Sequence, residues 1–205
     1  MRTKILIKKL KLGKLKVNTY IVLDEKTKRG FVIDPGARSN EIIKIINGYK
    51  IKYIFITHGH FDHIVGNRWL KEKTGAKIAV HKDDAQMLTS AIKNFSLALF
   101  KKITSPKADI ILKDGDEISV GDMKIRIISS SGHSPGAIAI LVNNKYLFSG
   151  DIIFKNGYGF AQNIQVRKKM LKNIKNKLLV LPNETEVFPG HKGNTTIGAE
   201  KARYL

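Results

Sequence analysis

The chain has 205 residues, enough for one domain with a sizeable core, and its formal charge is +20. It contains no cysteine, which excludes disulfide bonds, thiolate metal sites and cysteine nucleophiles. The charge fits an acidic partner such as nucleic acid, but the basic residues gather at the two ends of the sequence and are not set among aromatic residues. We therefore expect a solvated basic surface that attracts small anionic substrates, with polyanion binding as the less favoured interpretation.

Two further classes are excluded by the hydrophobic pattern. Residues 1–16 alternate Lys with Ile and Leu and lack the uninterrupted apolar core of a secretory signal. No segment approaches the roughly 18 apolar residues of a membrane span. We expect a cytoplasmic protein that does not enter the membrane.

The first half of the chain predicts strands and helices in mixed order. The predicted strands are 4–12, 15–24, 31–33, 51–57 and 77–80. The predicted helices are 41–47, a helix from near Asp62 to a stop at Gly75, and a short helix from Asp83 or Asp84 to Leu88. Residues 91–108 have a mixed pattern that predicts no regular element.

The second half is dominated by strands, with a helix near 164–178 and a closing helix capped by Thr195 or Thr196. The predicted strands are 110–112, 117–120, 123–129, 137–142, 145–148 and 187–188. Both halves combine strands with helices, which predicts two packed sheets with helices outside, a layered α/β arrangement. We expect residues 1–205 to form a single domain.

The densest chemistry of the chain lies in Thr57-His58-Gly59-His60-Phe61-Asp62-His63, directly after a predicted buried strand. In extended backbone, residues two apart point to the same face, roughly 6.5–7 Å apart, so His58 and His60 can converge on one ion. Imidazole nitrogen binds zinc at about 2.0–2.1 Å, which this spacing permits. Asp62 and His63 add two more candidate ligands. The segment therefore predicts a metal site.

Three further candidate ligands follow predicted strands: His133, Asp151 and His191, each directly after a glycine. Together with the 58–63 segment they supply seven nitrogen or oxygen ligands, about the number that two metals sharing one carboxylate need. The remaining histidine, His81, is predicted to be an ordinary loop residue.

The ordered motifs Thr-His-x-His-x-Asp-His, Gly-His-Ser-Pro-Gly, Ser-Gly-Asp and Pro-Gly-His resemble those of the metallo-β-lactamase-fold hydrolases, most closely the glyoxalase II-like thioesterases. The resemblance spans essentially the whole chain and implies a four-layer αββα sandwich. It also implies a ligand assignment, which is as follows. One metal is held by His58, His60 and His133, the other by Asp62, His63 and His191, and Asp151 bridges the two.

The function that the resemblance implies is hydrolysis of a thioester, such as a hydroxyacylglutathione-like substrate, by a hydroxide shared between two divalent metals. Zinc is the expected metal, and such His/Asp sites also accept iron or manganese. Asp62 and Asp151 are expected to orient the attacking water. Val65-Gly66 and residues 157–160 depart from the glyoxalase II pattern, and we do not expect the C-terminal helical domain that supplies glutathione contacts in longer relatives. Hydrolysis is thus better supported than the glutathione thioester itself.

Other interpretations of the same residues remain open to test. A mononuclear-iron persulfide dioxygenase and a nucleic-acid phosphodiesterase share the fold, and a non-catalytic binding module is a third class. A serine hydrolase is rejected: Ser134 fits a Gly-x-Ser-x-Gly pattern, but Pro135 lacks the backbone N–H that the oxyanion hole needs.

Overall fold

Two six-stranded sheets and five α-helices form the fold in the computed structural model, which describes residues 4–204. The strands of the first sheet are β1 Ile5–Leu12, β2 Val17–Asp24, β3 Arg29–Ile33, β4 Lys50–Ile56, β5 Lys77–His81 and β6 Ile110–Leu112. Those of the second sheet and a small hairpin are β7 Glu117–Val120, β8 Met123–Ser129, β9 Ile138–Val142, β10 Tyr146–Gly150, β11 Ile153–Phe154, β12 Gly157–Tyr158, β13 Glu186–Pro189 and β14 Thr195–Thr196. The α-helices are α1 Asn40–Ile46, α2 Phe61–Ile64, α3 Asn67–Thr74, α4 Ile164–Asn173 and α5 Ile197–Lys201.

The strand directions place several strand ends along one edge of the sandwich. In the first sheet, β3, β4, β5 and β6 are parallel, so their carboxyl ends lie on the same side. In the second sheet, β10 is parallel to β13, and β8 and β10 are both antiparallel to β9. The segments that directly follow β4, β8, β10 and β13 carry the seven candidate metal ligands. In open α/β sheets, small molecules bind at such carboxyl ends of strands.

Three apolar clusters define four layers, which confirms the predicted αββα sandwich. One cluster lies between the sheets and includes Phe31, Phe55, Ile127 and Phe148. A second covers the outer face of the first sheet with residues of α1 and α3, such as Ile42 and Leu70. The third packs Met170, Ile174, Leu178 and Ile197 against the second sheet.

The prediction of one continuous helix from Asp62 to Gly75 was wrong. The chain instead forms α2 and α3, separated at Val65-Gly66. Gly66 donates its N–H to the carbonyl of Pro35 at 2.7 Å, so the loop after β3 packs into the bend. Gly75 ends α3 in the left-handed conformation, as predicted.

Other local predictions also need correction. Where the sequence predicts a short helix from Asp83 or Asp84 to Leu88, the chain forms a 3₁₀ turn, Lys82–Asp84, followed by irregular turns. His81 is buried at the end of β5 and its Nδ1 accepts from the N–H of Asp83 at 3.3 Å, so it is not a loop residue. The 164–178 helix continues beyond α4 as a π turn, Ile174–Leu178. Within residues 4–204 no helix has the length and apolar character needed to cross a bilayer.

Candidate metal centre

The 58–63 segment turns from strand to helix, and this turn separates its side chains. β4 ends at Ile56, His58 is buried in the following loop, and α2 begins at Phe61. His58 and His60 therefore precede α2, while Asp62 and His63 project from its first turn. The loops after β8, β10 and β13 bring His133, Asp151 and His191 to the same place.

The first set of candidate ligands, here called the three-histidine group, consists of His58, His60 and His133. One ring nitrogen from each lies within 4.8 Å of the others, and the Nε2 atoms of His58 and His133 are 3.2 Å apart. Burial, with the neighbouring histidines, lowers the pKa of His60 to about 3 and that of His58 well below its usual value. Both imidazoles are thus neutral at physiological pH, the form that binds metals.

The second set, here called the mixed group, consists of Asp62, His63 and His191, again with ligand atoms within 4.8 Å of one another. Nε2 of His191 lies 3.5 Å from Oδ2 of Asp62. Burial opposes ionisation of Asp62, but His191 and His63 outweigh it and lower the pKa of its carboxyl to about 2. The carboxyl of Asp62 is therefore anionic across the physiological range.

Asp151 lies between the two groups. Its Oδ2 is 3.6 Å from Nε2 of both His133 and His191, and its Oδ1 is 3.6 Å from Nε2 of His63. One carboxylate thus faces a member of each group, which is the placement that a shared ligand requires.

Hydrogen bonds on the far side of two imidazole rings fix which nitrogen faces the centre. His63 Nδ1 donates to Oδ2 of Asp34 at 2.9 Å, and His133 Nδ1 donates to the carbonyl of Phe160 at 2.9 Å. Such bonds leave Nε2 free for a metal and set the ring orientation.

Asp34 was not predicted as a site residue, although its carboxylate lies close to His58 and His63. Both of its oxygens are already engaged, because Oδ1 accepts from the N–H of Thr57 and Oδ2 from the Thr57 hydroxyl and His63. Asp34 therefore orients His63 and is not itself a free ligand. Burial disfavours charge on His63, but Asp34, Asp151 and Asp62 prevail and raise the pKa of His63 to about 10. The centre thus favours added positive charge.

Divalent metal ions fit these residues on two grounds. Nε2 of His63 and Oδ1 of Asp151 are buried without a hydrogen-bond partner among the described residues, a cost that a bound cation removes. A Cβ at Gly190 would overlap Oδ1 of Asp151 and approach Cε1 of His63 to 2.8 Å, so glycine keeps this space open. Three converging imidazoles and nearby carboxylates also match the ligand preferences of zinc, iron and manganese.

Two grooves adjoin the centre and offer space for a substrate. A groove of about 340 Å³ is lined by His60 and His133, by the apolar Met87, Phe95 and Pro135, and by polar residues that include Lys93. The Phe95 ring lies 5.2 Å from that of His60. A groove of about 200 Å³ beside Asp62 combines Leu15 and Val65 with Lys14 and Lys101. Both linings therefore combine apolar side chains with charged ones of either sign, because the first also includes Asp83 and the second Asp62.

The structure brings all seven residues named from the sequence to one edge of the sandwich, and their role as ligands remains a prediction. Sequence reasoning missed three buried polar residues that contact the ligand loops: Asn18, Asp34 and Asp84. Nothing in the sequence indicates a role for Asn18 or Asp34 at the site, and Asp84 enters only as a possible first residue of a short helix. Their side-chain partners lie 23 to 174 residues away in sequence, so no local pattern identifies them.

Comparison with known proteins gives concordant results. The model of the metallo-beta-lactamase superfamily matches residues 12–191. An uncharacterized protein of Aquifex aeolicus is 31% identical over 202 residues, which cover 96% of this chain and 94% of that protein. The hydroxyacylglutathione hydrolase GloC of Haemophilus influenzae is 27% identical over 196 residues, covering 90% and 89%.

Among solved structures, the crystal structure of the BLEG-1 B3 metallo-beta-lactamase superposes with a TM-score of 0.90 at 28% identity. The alignment covers 96% of this chain and 97% of that one. The similarity therefore extends over the whole sandwich and includes the edge that carries the seven residues.

Proposed function

The chain belongs to the metallo-beta-lactamase superfamily, and we propose that this metal-dependent hydrolase holds two divalent ions and cleaves a small anionic thioester. The three-histidine group would hold one ion, the mixed group the other, and Asp151 would contact both. The observation that carries the proposal is the position of Asp151, 3.6 Å from a histidine nitrogen of each group.

Bound divalent ions would supply hydroxide at neutral pH and polarise the substrate carbonyl. The side chains of this chain would orient the attacking water. The carboxylates of Asp62 and Asp151 can accept hydrogen bonds from a water between the groups and so aim its lone pair at the carbonyl. Because a thiolate is a good leaving group, no side chain has to act as a nucleophile or strong acid.

The choice of a thioester is supported by the grooves and by one relative. The grooves beside His60 and Asp62 are partly apolar and carry lysines, which suits an acyl group joined to an anionic thiol. The Haemophilus influenzae relative is named as a hydroxyacylglutathione hydrolase. Zinc is the proposed metal, with iron and manganese as ions that the same ligands accept.

Metal content and substrate choice test the proposal together. We expect about two ions per chain by elemental analysis, and hydrolysis of S-lactoylglutathione that disappears in His60→Ala and Asp151→Ala. His81→Gln is the matched control, because His81 is the one histidine outside the two groups. It should retain both ions and full activity.

The same protein should be offered three other substrates. Oxygen uptake with glutathione persulfide would indicate the dioxygenase, strand cleavage of single-stranded RNA the phosphodiesterase, and opening of a chromogenic cephalosporin a lactamase. A fully active metal-free protein would contradict the mechanism. Thioester hydrolysis slower than any of these three reactions would contradict the substrate class.

A further inference from the structure

We propose that two buried residues outside the seven candidate ligands, Asp84 and Asn18, each control the affinity of one metal position. Asp84 would set the geometry of the three-histidine group, and Asn18 that of the mixed group. This inference rests on the proposed binding of two ions. It adds that the two affinities can be lowered separately by changing residues that touch neither ion.

Asp84 ties together the two loops that carry the three-histidine group. Its fully buried carboxylate accepts through Oδ2 from the N–H of Gly59 at 2.8 Å and from the Ser134 hydroxyl at 2.6 Å. Oδ1 accepts from the N–H of Gly136 at 2.6 Å. Gly59 lies between His58 and His60, and Ser134 follows His133. A single carboxylate therefore links the two loops and fixes the distance between the histidine nitrogens of this group.

An ionised carboxylate is needed for this arrangement. The donors face both oxygens, so an asparagine of the same shape would have to turn its NH₂ toward an N–H or O–H and leave that donor unsatisfied. A buried donor without a partner costs about 1–3 kcal/mol, which the loops can avoid only by moving apart. The His58–His133 distance would change with them.

Asn18 holds the loop of His191 in a comparable way from β2. Its backbone N–H donates to the carbonyl of Gly190 at 2.7 Å. Its buried Nδ2 donates to the carbonyls of Pro189 at 2.9 Å and Lys192 at 3.0 Å, so its bonds bracket His191 on both sides. The hydroxyl of Tyr20 donates to the same Pro189 carbonyl at 2.8 Å.

The backbone of this loop requires such support. Lys192 has φ +67°, a left-handed conformation that is uncommon for a residue with a side chain. Without the bond from Asn18 to its carbonyl, Lys192 can relax toward ordinary φ values. His191 precedes Lys192 directly, so its ring would leave the position 3.5 Å from Asp62.

The two devices are independent in the structure. In residues 4–204, the side-chain hydrogen bonds of Asp84 end on the loops of His58–His60 and His133, and those of Asn18 end on the loop of His191. Changing one should therefore leave the other group in place, a pattern that general destabilisation would not produce.

The test is a cobalt(II) titration of the full-length protein followed by visible absorption, with reference spectra from His133→Ala and His191→Ala. We expect Asp84→Asn to weaken one ion about 10- to 100-fold and leave a one-ion spectrum like that of His133→Ala. Asn18→Ala should weaken the other ion by a similar factor and resemble His191→Ala.

Milder variants and controls accompany these two changes. Ser134→Ala and Tyr20→Phe each remove one hydrogen bond and should act in the same direction with smaller effect. Asp116→Asn and Asn143→Ala are matched controls, because their side chains accept backbone N–H groups away from the centre. Melting of each metal-free variant verifies that it folds.

The outcomes separate this inference from the proposed function. A wild-type protein that binds no cobalt would refute the proposed function itself. A wild type that binds two ions, with Asp84→Asn and Asn18→Ala keeping both affinities within about threefold, would overturn the inference alone. Equal loss of both ions in each folded variant would also overturn it, because Asp84 and Asn18 would then not act on separate metal positions.

Discussion

Two of the candidate ligands are held in place by acceptors outside the set of seven. His63 and His133 each present Nε2 to the centre because Nδ1 donates to an acceptor behind the ring. Because folding already fixes these rings, less side-chain entropy is lost when an ion binds. Small changes beside these rings should therefore have large effects on metal affinity.

Gly190 provides one such change. A Cβ at this position would meet Oδ1 of Asp151 and the ring of His63, both nearly fully buried. Overpacking of this kind costs about 1–3 kcal/mol, which corresponds to roughly 5- to 150-fold in affinity if it falls on ion binding. We predict that Gly190→Ala weakens binding of at least one ion by about that factor, measured by competition with a chromogenic chelator.

Gly193→Ala is the matched control for this prediction. It lies in the same loop, and its Cβ would meet only Lys155 Cδ at an ordinary 3.6 Å. Its metal affinity should equal that of the wild type. Unchanged affinity in Gly190→Ala would show that the space beside Asp151 is not needed for an ion.

The residues that could be predicted from the sequence are those with a dense local pattern. His58, His60, Asp62 and His63 lie within one strand-to-helix turn, and His133, Asp151 and His191 follow glycines at strand ends. Asp34, Asn18 and Asp84 could not be assigned, because each resembles an ordinary turn, strand or cap residue until the fold supplies its partner. Polar networks between distant segments have no periodicity to detect.

At the level of elements, the sequence predicted the long strands because burial alternates or runs continuously along them. β11, β12 and β14 were missed, since strands of two residues are too short to show a period. The helix after His60 was predicted as continuous because Asn67–Thr74 keeps the apolar pattern. Its interruption depends on the Pro35 carbonyl, which accepts from Gly66 across the bend.

Residues 91–108 had no predicted element, and the structure explains this by side-chain capping. Asn94 Nδ2 donates to the carbonyls of Met87 and Ile103, and Asn94 Oδ1 accepts from the N–H of Ser96. These bonds replace a helix or sheet ladder with local polar contacts. The irregular segment places Phe95 against His60, so the groove wall is a product of this loop.

The contact between α3 and the β5–β6 region gives a pH-dependent prediction. Lys71 Nζ donates to Asp109 Oδ2 at 2.6 Å, and the N–H of Ile78 donates to the same oxygen at 2.8 Å. Partial burial opposes ionisation of Asp109, but these donors prevail and lower its pKa. A lowered pKa stabilises the fold above the unfolded value near 3.9, and this stabilisation is lost as the pH falls through the folded value.

We therefore predict that Lys71→Met lowers the free energy of unfolding at pH 7 by about 0.5–1 kcal/mol, since the pair is one-third exposed. The difference from the wild type should shrink below about pH 4 and vanish once Asp109 is protonated. Urea titrations from pH 7 to pH 3 measure it. Lys73→Met, exposed on the same helix, should show no such dependence, and a constant difference at all pH values would contradict the argument.

At the scale of the whole molecule, few of the basic side chains form ion pairs. Within residues 4–204 six ion pairs involve Lys or Arg, against 37 such residues in the sequence. Most of the positive charge is therefore directed to solvent, and both grooves at the centre carry lysines. Such a field raises the encounter rate of anionic substrates.

This field predicts a salt dependence that differs between substrates. Raising the ionic strength from ~10 mM to ~150 mM shortens the Debye length from about 30 Å to about 8 Å. We expect kcat/KM for the anionic S-lactoylglutathione to fall by about tenfold over this range, and that for an uncharged N-acetylcysteamine thioester to stay nearly constant. Parallel slopes for the two substrates would show that the basic surface does not steer the substrate.

Paired charge reversals locate the part of the field that matters. Lys14→Glu with Lys101→Glu reverses two charges in the groove beside Asp62, whereas Lys44→Glu with Lys113→Glu reverses two exposed charges on α1 and before the β6–β7 turn. The net charge changes equally in both variants, so a purely global field would slow the anionic substrate equally. Because potentials fall off within a Debye length, we expect the groove variant to be slowed several-fold more at ~150 mM salt. Equal rates would instead assign the attraction to the surface as a whole.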